Sequence, residues 1–153
     1  MKQVGFSKRL GAYLIDILPI VFVIGILAYF FFGFDKILSE YLQNSQEFET
    51  RKAFLSDRNR IRNLSFILWL LYCMIMEASP YQATFGKKLL GMKVVDNEGN
   101  RLSLARSFAR NITKILSILP VCIGFLWIVF SKKKQGWHDM LSGSYVVSRY
   151  GDK

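Results

Sequence analysis

Cysteine and histidine are almost missing from this chain. Among 153 residues there are two cysteines, Cys73 and Cys122, and one histidine, His138. Both cysteines sit in apolar stretches, where a free thiol behaves as a small hydrophobe. Their number and spacing supply neither a disulfide framework nor a metal-ligand set. His138 with Asp139 and the distant Glu77 is too sparse for a zinc site. HExxH, GxSxG and a redox cysteine pair are all absent, so no nucleophile–base pair suggests itself. We therefore expect a non-enzyme with no metal and no cofactor. Acidic residues are scarce too: 11 against 21 basic, a net charge of +10. The basic residues flank hydrophobic runs, and no nucleic-acid motif accompanies them, so no nucleic-acid partner is expected. Positive charge beside apolar runs holds a flank on the cytoplasmic side and attracts anionic lipid headgroups.

What the chain has in quantity is apolar surface, 52% of its residues. Apart from Asp16, Leu10–Phe34 carries no charge, and Ile17–Phe34 is a run of 18 uncharged residues. That length suits a membrane-crossing helix. Lys2, Lys8 and Arg9 before it imitate a signal peptide, but the run is too long, contains Asp16 and lacks a small-residue cleavage site, so it is expected to be retained. A carboxylate within such a helix costs about 2.5–3.5 kcal/mol at the bilayer centre and marks a candidate site.

The expected fold is an all-α membrane protein of one domain. It has three to four transmembrane or re-entrant helices and a small cytoplasmic β-hairpin. Helix 1 covers about 10–34. An outer loop, 35–62, has six basic and five acidic residues, and Ile37, Leu38, Tyr41 and Leu42 within it have the spacing of an amphipathic helix. Helix 2 covers about 62–80 and stops near Pro80. An inner loop over 81–103 contains a strand at Met92–Val95, a turn at Asn97–Asn100 and a return strand at Arg101–Leu104. A basic amphipathic helix then runs into a third apolar segment, 104–131, interrupted by Pro120 and Gly124. Ser103 is a plausible N-cap. Ser103, Arg106, Ser107, Arg110, Asn111, Lys114 and Ser117 share one face; Leu104, Phe108, Ile112 and Ile115 lie on the other. The tail, 132–153, holds a short helix at Gly136–Leu141 and a strand at Tyr145–Ser148.

Two topologies compete. A single crossing by the third segment would carry Lys132, Lys133 and Lys134 outside, against the positive-inside tendency. A break at Pro120–Gly124 would return the tail to the cytoplasm, where its strand could join Met92–Val95. We expect the second. Asp16 is expected to meet a cation from another helix, with Arg106, Arg110 and Lys114 as candidates. It would then be either a structural ion pair or a proton- or ion-binding carboxylate. Gly86-Lys87 falls short of a phosphate loop because position 81 is tyrosine; Gly86 and Gly91 are read as tight turns, with Lys87 and Lys88 against lipid headgroups.

Four blocks in order carry a resemblance. They are Arg9-Leu-Gly-Ala-Tyr-Leu-Ile-Asp16; Gln82-Ala-Thr-Phe-Gly-Lys-Lys-Leu-Leu-Gly91 with Lys93-Val-Val-Asp96; Arg110-Asn111; and Gln135-Gly-Trp-His-Asp139 with Gly143 and Val146-Val147. Together, from about Phe6 to Val147, they resemble the RDD family of membrane proteins, named for one arginine and two aspartates. The resemblance maps those residues onto Arg9, Asp16 and Asp139. It singles out Gln82, Thr84, Gly86, Lys87, Gly91 and His138 as a cytoplasmic motif, and it alone suggests that Asp139 engages Arg9. The expected location is the plasma (inner) membrane, multi-pass, with the N-terminus placed in the cytoplasm by Lys2, Lys8 and Arg9 and the C-terminus by the topology argument. Three expectations for function remain: a regulatory or scaffolding subunit of a membrane complex, an ion- or proton-coupled transporter using Asp16, and, from the basic helix face, anionic-lipid handling. Expected partners are lipids and either a second copy or another membrane protein.

Overall fold

The computed structural model describes residues 2–118 and 123–150. It is mostly helical, 69%, with one small sheet. The elements are α1 (Phe6–Phe32), α2 (Phe34–Gln43), α3 (Phe48–Ala78), α4 (Phe85–Leu89), β1 (Met92–Asp96), α5 (Leu104–Ile118), α6 (Ile123–Phe130), α7 (Trp137–Leu141) and β2 (Ser144–Ser148). The chain divides into two compact units, Met1–Ile17 with Leu70–Lys153, and Leu18–Trp69.

Among the described residues, two helices, α1 and α3, are long and apolar enough to cross a membrane. Only 11% of the apolar window of each is buried. A core helix of a soluble protein would hide that surface; here Leu18, Phe22, Phe30 and Phe31 of α1 stand 70% or more exposed. Lipid is the solvent such a surface requires. The third apolar block is divided between α5, which ends at Ile118, and α6, which starts at Ile123. The expected break at Pro120 lies outside the described residues, as does Cys122.

In the Leu18–Trp69 unit, the region expected as an outer loop is helical. α2 includes Ile37–Leu42, and the next helix starts at Phe48, well before the apolar run. Tyr41 stacks on Phe54 at 4.2 Å between ring centroids, and Phe34 lies 6.2 Å from the same ring. Aromatic packing of this kind holds the polar α2 against the polar first turns of α3. Ile24, Ala28 and Phe32 of α1 line a narrow apolar cleft with Ile61, Leu64 and Leu68 of α3.

The other unit contains the sheet. β1 does not pair with Arg101–Leu104; it pairs antiparallel with β2, in the register Met92↔Ser148, Val94↔Val146 and Asp96↔Ser144. The expected return strand is thus corrected. Asp96 Oδ1 accepts the N–H groups of Glu98 (2.9 Å) and Asn100 (2.8 Å), which closes the turn. Ser103 then caps α5, its Oγ accepting Arg106 N–H at 3.2 Å, so the residues after the turn are taken by a helix. The N-terminus adds to the sheet edge: Gln3 bridges Val147, and Val4 N–H donates to Val146 O at 2.9 Å. Val4, Ala12, Met92, Val94, Leu102 and Val146 form the apolar core beneath.

α5 is inside out by the standards of a soluble helix. Its polar face is the buried one, with Ser107 at 0%, Arg110 at 1% and Asn111 at 3% exposure, while Leu104 stands 61% and Phe108 49% exposed.

Candidate functional site

α7 is a single short turn, but it anchors the centre of the site. Asp139, its third residue, folds its carboxylate back onto the Gly136 N–H at 3.1 Å, satisfying a donor that the helix start leaves open. The same carboxylate is fully buried. Its Oδ1 accepts Arg110 Nη2–H at 2.7 Å and Nε–H at 3.1 Å. Its Oδ2 pairs with Arg9 Nη1. Arg9 also donates from Nε to Val4 O at 3.0 Å and from Nη2 to Lys134 O at 2.6 Å. One guanidinium therefore ties the start of α1 to its own N-terminal flank, to the segment before α7 and to α7 itself.

Arg110 continues the network. Its Nη1 lies 2.8 Å from Glu77 Oε2, so one guanidinium bridges two buried carboxylates. Glu77, near the end of α3, is fully buried. It also accepts Asn111 Nδ2–H at 3.2 Å and pairs with Lys87 and, at 3.5 Å, with Lys114. Lys114 donates to Asn111 Oδ1 at 2.6 Å. Taking charges out of water is expensive, and such a network persists only where each member is paired and hydrogen-bonded.

Electrostatics follow from this wiring. Burial alone would raise the Asp139 carboxyl, but Arg110 and Arg9 outweigh it and hold the group well below the usual carboxylate range. Burial lowers the Lys87 ammonium, against the pull of Glu77. His138 is buried beside Asp139, Nε2 to Oδ1 3.3 Å, and burial pushes its imidazole down to about 3, so it is neutral near pH 7.

Asp16 is held differently. Burial leaves it 3% exposed, yet its partners are neutral. Oδ1 accepts Gly86 N–H at 2.7 Å and Tyr72 O–H at 3.1 Å; Oδ2 accepts Thr84 O–H at 2.6 Å. Tyr72 Oη in turn accepts Phe85 N–H at 2.9 Å. The expectation that Arg106, Arg110 or Lys114 neutralises it is corrected. Arg110 and Lys114 are committed to the Glu77–Asp139 network, and Arg106 pairs with Asp96 at 3.3 Å across the turn. The reason is geometric: Thr84–Gly86 occupies the space beside Asp16 on α1 and supplies the hydrogen bonds that a charged side chain would otherwise provide.

The motif residues Gln82–Gly91 divide by task. Gly86 is not a turn. It lies within α4 so close to α1 that a Cβ would stand 2.1 Å from Ala12 O and 3.1 Å from Asp16 Cγ. Gly91 is a turn, with φ +66°, where a side chain would be strained. Gln82, at φ 53°, turns its carbonyl to accept Val94 N–H at 2.6 Å. Lys88 does not join the network; its ammonium lies 3.9 Å from the Tyr81 ring centroid. Glu77 is the residue that the sequence reading undervalued. Its signal was present: it is the sole acid between Asp57 and Asp96 and it closes an apolar run. Among the described residues no group of three or more His, Cys, Asp or Glu is placed to hold a metal ion.

Comparison with known proteins agrees with this architecture. The model of the RDD family matches residues 4–143. "Uncharacterized protein YxaI" of Bacillus subtilis (strain 168) is 39% identical over 84 residues, which is 55% of this chain and 55% of that protein. The matched stretch thus spans only about half of that relative's length. No solved structure matches. With the family match running from Val4 to Gly143, through Arg9, Asp16 and Asp139, the chain belongs to the RDD family of membrane proteins.

Proposed function

We propose that this chain is a non-enzymatic regulatory or scaffolding subunit of a membrane complex, held in the plasma membrane by α1 and α3. The observation behind this reading is the saturation of its buried acids. Glu77 has Lys87, Arg110, Lys114 and Asn111; Asp139 has Arg9, Arg110 and Gly136 N–H; Asp16 has three donors. A carboxylate wired this way has to break bonds before it binds a moving ion, whereas it serves well to fix helix register. Backbone bonding of residues 3–4 to β2 supports both chain ends lying on one side of the membrane, and the basic flanks favour the cytoplasmic side. In vivo crosslinking from native membranes should recover one dominant membrane-protein partner. Recovery of self-complexes alone would remove the reading.

A second reading, an ion- or proton-coupled carrier, draws on one feature. Asp16 is a buried carboxylate of the first apolar helix whose hydrogen-bond partners, Gly86 N–H, Tyr72 O–H and Thr84 O–H, include no cation. Purified protein in proteoliposomes should then dissipate a proton or sodium gradient, and Asp16→Asn should abolish the flux. Vesicles with intact gradients would dismiss the carrier.

A further inference from the structure

The buried network does not balance. It contains four cations, Arg9, Lys87, Arg110 and Lys114, against two carboxylates, Glu77 and Asp139, with His138 neutral. Asp16, buried and bonded to Gly86 N–H beside Lys87, is a third carboxylate, which leaves one positive charge in excess. Glu77 lies in the last turn of α3, where the helix end contributes about half a negative charge, so part of that charge still lacks a counterion. The excess is not spread evenly. The Arg110 and Glu77 side chains are 2% and 0% exposed, whereas Lys87 is 13% and Lys114 20% exposed. Arg9 is 10% exposed, but its Nε, Nη1 and Nη2 are taken by Val4 O, Asp139 and Lys134 O, so the two lysines are the partly exposed cations of the network with donors left over. Both reach the same atom, Glu77 Oε1. Two ammonium groups sharing one oxygen are close enough to share a second acceptor, and of three N–H donors each Lys87 has placed one, on Glu77, and Lys114 two, on Glu77 and Asn111.

We propose that Lys87 of α4 and Lys114 of α5 form a binding site for one phosphate-type oxyanion. This goes beyond the scaffolding reading and stands without it. The surroundings favour the phosphate of a lipid headgroup as the source. Phe85 and Leu89 on α4 are 51% and 60% exposed, and Ile115, next to Lys114, is 36% exposed. An acyl chain would find apolar side chains beside the lysines; a free phosphate would gain nothing from them. Lys88, parked on Tyr81, lies outside the site.

Protection from acetylation tests it on the wild-type protein. The full chain in neutral detergent is treated with a water-soluble amine reagent, and labelling at Lys114 and Lys88 is quantified by peptide mass spectrometry. Phosphatidylglycerol, phosphatidic acid, phosphatidylcholine and inorganic phosphate are titrated separately. The anionic lipids should slow labelling of Lys114 severalfold while leaving Lys88 unchanged, and phosphatidylcholine should not. Protection by inorganic phosphate at equal or lower concentration would keep the oxyanion site and assign it to a soluble anion. In Lys87→Gln the lipid concentration protecting Lys114 should rise at least tenfold; in Lys88→Gln it should stay within twofold. Absence of Lys114 protection by both anionic lipid and phosphate in the wild type overturns the proposal, whether or not Lys87→Gln folds. So does equal protection by phosphatidylcholine.

Discussion

At the scale of single residues, Asp139 joins α1, α5 and α7 through Arg9 and Arg110. Asp139→Asn keeps the shape of its side chain but leaves Arg9 and Arg110 facing a neutral group. Breaking a buried pair in this way costs about 3–5 kcal/mol, and we expect a large drop in the thermal midpoint of the detergent-solubilised protein. Gly86→Ala forces a methyl against the Ala12 carbonyl, 2.1 Å away. Overpacking of this kind costs about 1–3 kcal/mol, whereas Gly5→Ala, with nothing within 4 Å, should be silent by the same measurement. His138 sets a pH dependence. Its folded value is pushed down to about 3 by burial, while the unfolded imidazole titrates near 6.5. Between those values the unfolded chain binds the extra proton, so stability is complete above about pH 6.5 and falls as pH drops toward 3. Asp139, held low by its arginines, adds no loss until more acidic pH. Unfolding midpoints measured from pH 7.5 to 4.5 should therefore decline in the wild type and lie nearly flat in His138→Gln.

At the scale of elements, α5 gives the sharpest expectation, because its faces are reversed. Ser107, whose Oγ donates to Met74 O at 2.9 Å, should not tolerate Leu: Ser107→Leu overfills a closed site and removes a bond. Phe108→Ser, on the exposed face, should cost less in detergent. A soluble amphipathic helix would give the opposite order, and comparing the two midpoints decides between them. The sequence showed that α5 has two faces, since the 3.6-residue period of Ser103–Lys114 is plain. It did not show which face turns inward, because that depends on whether water or lipid lies outside. Likewise Met92–Val95 and Tyr145–Ser148 read as strands from their β-branched alternation. Their pairing was harder to see than a local hairpin, since it joins residues 48 to 56 positions apart. Asp16 was legible as a buried acid, but its partners were not. Hydrogen bonds from a backbone N–H and a threonine leave no trace in charge patterning, which is why cations were expected in their place.

At the scale of the whole molecule, membrane orientation is the quantity most worth measuring. Single cysteines at Lys2, Asn44 and Arg149, in a background lacking Cys73 and Cys122, can be labelled with an impermeant maleimide in intact cells. Positions 2 and 149 should react only after permeabilisation, and position 44 before it. External labelling at 149 with none at 2 would mean that residues bonded through one sheet face opposite compartments, which is incompatible with the Gln3–Val147 bridge.

The Arg9–Asp139 link has a consequence in time. Its partners are separated by 130 positions, and translation at roughly 5–20 residues per second spaces their synthesis by on the order of ten seconds. Throughout that interval the nascent first helix waits with its guanidinium unmatched. Membrane insertion must come first and the stitching of the two chain ends last, so a ribosome stalled short of α7 would leave a protein that is inserted but never locked.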